Sequence, residues 1–262
     1  MRLLDTVFTE YSYDFRQYAH ASLKRRVTQA ITRLGFADCE SLRQGMRASG
    51  TVFTQLLRFL TVHVSDMFRD ADYFRAFREQ VVPALATYPS TKLWVAGCSN
   101  GEEVYSLAII LREERLLERT TIYATDIDPE CLMAAEAGLY PIDRIALFSE
   151  NYIRSGGQTS LSDYYTTGYG NAVFDKTLRQ NVVFADHSLA TDTVFAEVHA
   201  VSCRNVLIYF NADLQKHALK LFDDAIVRRG FLGLGSRETL RFSDHARTYA
   251  EIPGGQRWYR KL

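Results

Sequence analysis

Apolar residues recur along this chain with two periods, and the architecture changes where the period does. Between residues 11 and 60 the spacing is helical: Leu23, Val27, Ala30, Ile31 and Leu34 share one face, and Gly35 follows as a helix-ending residue. Two or three amphipathic helices are expected there. From residue 92 strands and helices alternate. Leu93 to Ala96 is a short apolar strand, Gly97 to Gly101 permits a tight turn, and Glu102 and Glu103 open a helix that carries Val104, Leu107, Ala108, Ile110 and Leu111 toward a core. Thr121 to Ile127 is a second apolar strand with Asp126 near its carboxyl end, and Asp128-Pro129 starts another helix as an N-cap followed by proline.

Residues 150–180 break this rhythm with Gly, Ser, Thr and clustered Tyr, which predicts a small inserted antiparallel hairpin or sheet. Beyond it, 181–185 and 200–203 read as strands, 211–228 as a helix and 231–235 as a strand. Pro253-Gly254-Gly255 stands between two strand-like pieces as a closing hairpin. The expected organisation is an α/β chain: a helical domain over 1–60, then a doubly wound domain over 61–262 that carries the insertion at 150–180.

Strand, glycine turn, helix, strand and acid is the layout of a nucleotide site. A dinucleotide site needs G-x-G-x-x-G, so that a helix amino terminus meets the pyrophosphate. Here the glycines stand as G-x-x-x-G and two glutamates follow, which disfavours a nicotinamide dehydrogenase. Negative side chains suit a ligand with a positive end, and S-adenosylmethionine offers an ammonium and a sulfonium. An ordinary α/β turn with a later aspartate fits the same letters.

Net charge is zero over 262 residues, with 31 basic and 31 acidic side chains, so no general attraction to nucleic acid is expected. The charge is uneven: residues 1–60 hold nine Lys or Arg against five Asp or Glu, an excess that fits a solvated polar face as well as a docking surface. No apolar run suggests membrane insertion or a signal peptide. Cys39, Cys98, Cys131 and Cys203 have no metal-ligand or C-x-x-C spacing, which suits reduced thiols in a cytoplasm. The six histidines have no ligand spacing either, and no metal is expected.

Several motifs, in order, resemble one family. Gly97 to Ser106 reads Gly-Cys-Ser-x-Gly-Glu-Glu-x-Tyr-Ser, 125–128 reads Thr-Asp-Ile-Asp, and 203–210 reads Cys-Arg-Asn-Val-Leu-Ile-Tyr-Phe. Val62 to Asp70 is similar to a T-N-x-T-x-F-F-R-(D/E) segment, and Gly230 to Leu240 to a GxLxLGxxE strand and turn. From about residue 11 onward the chain resembles the CheR-type protein-glutamate O-methyltransferases of bacterial chemotaxis. The resemblance implies a class I S-adenosylmethionine methyltransferase fold, with a mostly parallel seven-stranded sheet, that esterifies glutamates on chemoreceptor-like proteins and releases S-adenosylhomocysteine.

It also implies roles by position. Arg69 would reach both the cofactor and the reacting region, Tyr209 would stand at the latter, Glu103 would meet the cofactor's ammonium, and Asp126 would take the ribose hydroxyls. Gly97, Arg204, Asn205 and Val206 would line the cofactor cleft, Ser188 and Leu189 would lie near the adenine, and His63 and Ser65 replace the family's usual Asn and Thr. The basic helical domain, with Arg25, Arg26 and Arg33, would dock on acidic receptor helices; the peptide-gripping pattern of some family members is not recognised in 150–180.

A glutamyl carboxylate, with an ordinary pKa of roughly 4.3, is ionised at neutral pH and needs no general base to attack a methyl group. The same fold acting on another carboxylate, and a non-catalytic module that binds the cofactor, remain as alternatives.

Overall fold

The computed structural model describes residues 2–241, 243–254 and 256–262. Its amino-terminal part holds four helices, α1 (Arg2–Tyr11), α2 (His20–Leu34), α3 (Cys39–Ala48) and α4 (Gly50–Leu60), where periodicity predicted two or three. Helix α1 lies ahead of the residue 11–60 pattern and buries Leu3, Thr6 and Val7. Helix α2 ends as its sequence predicts: Gly35 takes φ 77° and its amide donates to the Ile31 carbonyl. Helix α3 opens with a capping box between Asp38 and Ser41. Val7, Ala30, Leu42, Met46, Leu56 and Leu60 close a core of their own with no exposed surface.

A linker leads to α5 (Ala71–Ala76), a π-helical turn (Phe77–Val81) and α6 (Val82–Leu85). Then come strands β1 (Thr91–Ala96), β2 (Thr120–Asp126), β3 (Leu139–Pro141), β4 (Tyr165–Gly168), β5 (Asn171–Phe174), β6 (Val182–Asp186), β7 (Val198–Cys203), β8 (Ile226–Leu234), β9 (Tyr249–Glu251) and β10 (Trp258–Lys261). Between them lie helices α7 (Glu102–Glu113), α8 (Pro129–Ala137), α9 (Ile145–Arg154) and α10 (Ala212–Ala225).

Seven strands form one sheet in the order β6-β2-β1-β7-β8-β10-β9. The first five run parallel and β10 runs antiparallel to both its neighbours. This is the doubly wound, mostly parallel sheet that the sequence predicts. The chain leaves β1 toward β2 on one side and returns to β7 on the other, so a crevice opens at the carboxyl ends of β1 and β7. Near-continuous apolar runs fit strands covered on both faces, and Leu93, Trp94, Ile122, Ala124, Ala200 and Val201 are wholly buried.

Two expectations need correction. The insertion is larger than 150–180, because β3 pairs with β5 and draws 139–141 into a three-stranded sheet, while α9 continues to Arg154. Three residues are too few for a period-2 signal. The helix expected over 211–228 stops at Ala225, where the β-branched pair Ile226 and Val227 starts β8 at once. Of the predicted Pro253-Gly254-Gly255 turn, Gly255 lies outside the described residues, and β9 and β10 flank the segment as expected.

Candidate functional site

The turn after β1 sits at the crevice and is built from left-handed residues: Gly97 (φ 75°), Ser99 (φ 50°) and Gly101 (φ 90°). A Cβ on Gly97 would stand 2.5 Å from Val206 Cγ2, so only glycine brings the turn this close to the 203–210 segment. Asp126 pins the turn. Its Oδ2 accepts from the Ser99 amide at 2.8 Å and its Oδ1 from the Asp128 amide at 3.0 Å. Burial pushes its carboxyl above the ordinary range, and the two amides pull it partly back. Each carboxylate oxygen retains a second acceptor direction for a ligand.

The glutamates at the start of α7 separate. Glu102 turns inward to 1% exposure and accepts from Arg144 Nη1 at 3.3 Å, whereas Glu103 borders the cavity. Glu103 is held by Arg204 Nη1 at 3.0 Å and by the Ser202 hydroxyl at 2.5 Å. Arg204 is itself buried over the Tyr73 ring, 4.2 Å from its centroid, and donates to the Arg69 carbonyl and to Asp70 Oδ2, both at 2.7 Å. One guanidinium thus ties the linker before α5, the start of α7 and the end of β7 together. Asn205, the next residue, takes φ 60°. Glu238 supports this turn: its carboxylate, 5% exposed, accepts from the amides of Asn205 and Val206 at 3.0 Å and of Gly235 at 2.6 Å.

A single cavity gathers most of the residues expected at the site. Gly97, Glu103 and Asp126 line its floor, with Leu189, Arg204, Asn205, Val206 and Tyr209 around them. The linker adds His63, Ser65 and Arg69, whose guanidinium donates to the Val64 carbonyl at 3.1 Å. Ser188 is not among them. Its amide is tied to Asp192 Oδ2 at 2.9 Å and it lines a neighbouring groove with Tyr13 and Phe15, while His187 reaches the cavity instead.

Arg26 also departs from expectation. The resemblance implies a docking face for it, but it is 5% exposed, donates to the Leu60 carbonyl at 2.6 Å and lies over the Tyr209 ring at 4.4 Å. With Tyr18 and Leu60 it brings the helical domain into the cavity wall. Arg25 and Arg33 are exposed. Cys98 and Cys203 are buried packing residues, and burial pushes both thiols up. Tyr18, His187 and Glu238 have no assigned role in the sequence expectations, and Arg26 has a different one; only Glu238 carried a signal, as the acid that ends the GxLxLGxxE strand and turn within Gly230 to Leu240.

These residues fit S-adenosylmethionine. Glu103 and Asp126 present carboxylate acceptors to the cavity, of the kind an ammonium and a ribose need, Leu189 and Val206 present apolar surface, and among the described residues Ser99 Oγ and Asn205 Oδ1 are buried without hydrogen-bond partners.

Residues 63–254 match the sequence-family model described as "CheR methyltransferase, SAM binding domain", and residues 1–61 match "CheR methyltransferase, all-alpha domain". The chain is 51% identical to the Pseudomonas putida protein Cher3, over 99% of this chain and 95% of that one. It is 28% identical to the chemotaxis protein methyltransferase of Listeria monocytogenes, over 87% and 84% of the two chains. Among solved structures it is similar to a SAM-dependent methyltransferase from Geobacter sulfurreducens in complex with S-adenosylhomocysteine. That likeness has 11% identity and a TM-score of 0.34 and covers 60% of this chain and 46% of that one.

Proposed function

The chain belongs to the CheR methyltransferase family, and from that premise we propose that it transfers a methyl group to glutamate side chains of chemoreceptor-like proteins in the cytoplasm. It is a methyltransferase of the class I S-adenosylmethionine fold. The observation that carries the finer reading is the convergence of Glu103, Asp126 and Arg69 on one cavity around the Gly97 turn.

S-adenosylmethionine, when bound, supplies an electrophilic methyl on a sulfonium. In this reading Glu103 holds the ammonium end, Asp126 the ribose hydroxyls, and Leu189 and Val206 the apolar base. His63 and Ser65 border the same ligand from the linker. The acceptor carboxylate arrives ionised, so the chain has no proton to remove from it. Its task is alignment, for which a well-oriented pair gains up to roughly 7–11 kcal/mol. Arg69 is the residue assigned to that task, since its planar, permanently charged group can hold a carboxylate by two parallel hydrogen bonds. Tyr209, stacked against Arg26, closes the cavity beside it.

The test is incubation with methyl-labelled cofactor and receptor-bearing membranes. Base-labile label on protein is expected, and Arg69→Lys should lower single-turnover rate at least about tenfold with cofactor affinity retained. Label that survives base, or a parent-like rate in Arg69→Lys, would sink the reading.

A further inference from the structure

The linker between the helical domain and the sheet carries His63, and α8 carries Asp128 at its N-cap and Cys131 in its first turn. Spacing along the chain hides the grouping that the fold makes. One ligand atom from each residue, an imidazole nitrogen, a carboxylate oxygen and Sγ, lies within 4.8 Å of the other two. His63 Nε2 is 3.2 Å from Asp128 Oδ2 but, among the described residues, makes no hydrogen bond of good geometry. Asp128 Oδ1 is occupied by the Glu130 amide at 2.9 Å, which leaves Oδ2 toward His63, with the Thr61 hydroxyl at 3.4 Å. Asp128 and Cys131 are 1% and 3% exposed.

We propose that His63, Asp128 and Cys131 form a divalent-metal site of the zinc class, which clasps the linker to α8 beside the cofactor cavity. Thiolate, imidazole and carboxylate together are a donor set that zinc takes in preference to magnesium or calcium. Ligands about 2.0–2.3 Å from a tetrahedral ion stand roughly 3.3–3.8 Å apart, so the observed spacing closes with side-chain shifts of about 1 Å. The surroundings carry negative charge: Asp126 and Glu130 stand near Cys131 beside Asp128, and the nearby cation Arg58 is paired with Glu130. A cleft that Arg58, Asn100, Glu130 and Met133 complete gives the ion entry and leaves its fourth position to water. Binding transfers the thiol proton to solvent as the sulfur–metal bond forms. His63 belongs to the cofactor cavity as well, so the ion fixes a ring that both sites share. The clasp is structural and takes no part in methyl transfer.

The test uses untagged full-length protein, stripped by chelator and titrated with Co²⁺ and then Zn²⁺. One equivalent of Co²⁺ should bind with an intense near-ultraviolet thiolate-to-metal band, and Zn²⁺ should displace it. Cys131→Ala should abolish the band, His63→Asn should weaken binding at least tenfold, and Cys39→Ser, at the exposed thiol, should change neither. Zinc should also change the affinity for S-adenosylhomocysteine at least threefold. The inference fails if the parent gives no thiolate band, if the band survives Cys131→Ala or is lost in Cys39→Ser, or if zinc leaves the cofactor-product affinity unchanged. Should Cys131→Ala not fold, parent-like cobalt affinity in His63→Asn overturns the site by itself.

Discussion

Glu238 does for the 203–210 turn what a neighbouring strand does for a strand: it offers acceptors to backbone amides that have no other partner among the described residues. Because Asn205 is held left-handed within that turn, loss of the carboxylate exposes both a strained residue and unpaired amides. Glu238→Gln turns an amide NH₂ toward those donors. It should cost roughly 1–3 kcal/mol in urea denaturation and weaken cofactor binding in calorimetry. Parent-like values for both would remove Glu238 from the support of the pocket. Glu102 gives a pH dependence of definite sign. Burial pushes its carboxyl from 4.5 up to about 7, against the pull of Arg144. The folded protein then binds this proton more tightly than the unfolded chain does. Its contribution is complete below pH ~4.5 and is lost as pH rises through about 7, a change of up to roughly 3 kcal/mol. Relative to Glu102→Gln, the parent should therefore lose stability between those pH values, and parallel curves for the two proteins would contradict the assignment.

At the scale of elements, and among the described residues, α2 carries most of the helical domain's positive charge that lies outside ion pairs. Arg16, Arg43, Arg47 and Arg58 are engaged with Asp14, Glu40, Glu10 and Glu130, and Arg26 is buried, whereas Lys24, Arg25 and Arg33 are exposed on α2. Reversal of Arg25 and Arg33 together to Glu should raise the KM for a receptor acceptor by roughly 2- to 30-fold, at about 0.2–1 kcal/mol per exposed pair, and leave cofactor affinity alone. Acceptor kinetics that do not move would make these arginines a solvated face. Omission of Arg26 from this test marks where the sequence was ambiguous: a helical position next to two exposed basic residues looks alike whether it meets water or the Tyr209 ring. The parallel block around Leu93–Ala96 and Thr121–Ile127 was legible because each element satisfies its own period locally. Strand β3, with three residues, has no period to read, and its place is set by Tyr140 packing on Tyr105 and Phe174. Ser188 and His187 could not be told apart from sequence, since a one-residue rotation at the end of β6 decides which of them meets the cavity.

The whole molecule places its cavity where two independently packed cores meet. Tyr18, Arg26 and Leu60 come from the helical core, and the Gly97 turn and the 203–210 segment from the sheet, so both parts contribute to the cavity wall. Among the described residues no helix is long and apolar enough to cross a membrane. The grouping of His63 with Cys131, and of Glu238 with Asn205, arises only at this scale, which is why no local pattern announced it. The position of β10 between β8 and β9 has a further consequence, for the order in which the molecule assembles. The two tryptophans are both fully buried, Trp94 in β1 and Trp258 in β10. Trp94 donates to Thr125 Oγ1 in the adjacent strand at 2.8 Å, a contact 31 residues apart in sequence; Trp258 donates to the Tyr73 carbonyl at 3.2 Å across 185 residues. Contacts of such unequal sequence separation form at unequal speeds. In stopped-flow refolding of the single-tryptophan variants, the emission of Trp94 should settle before that of Trp258, so the protein carries separate clocks for the birth of its sheet and for the wedging of its last strand.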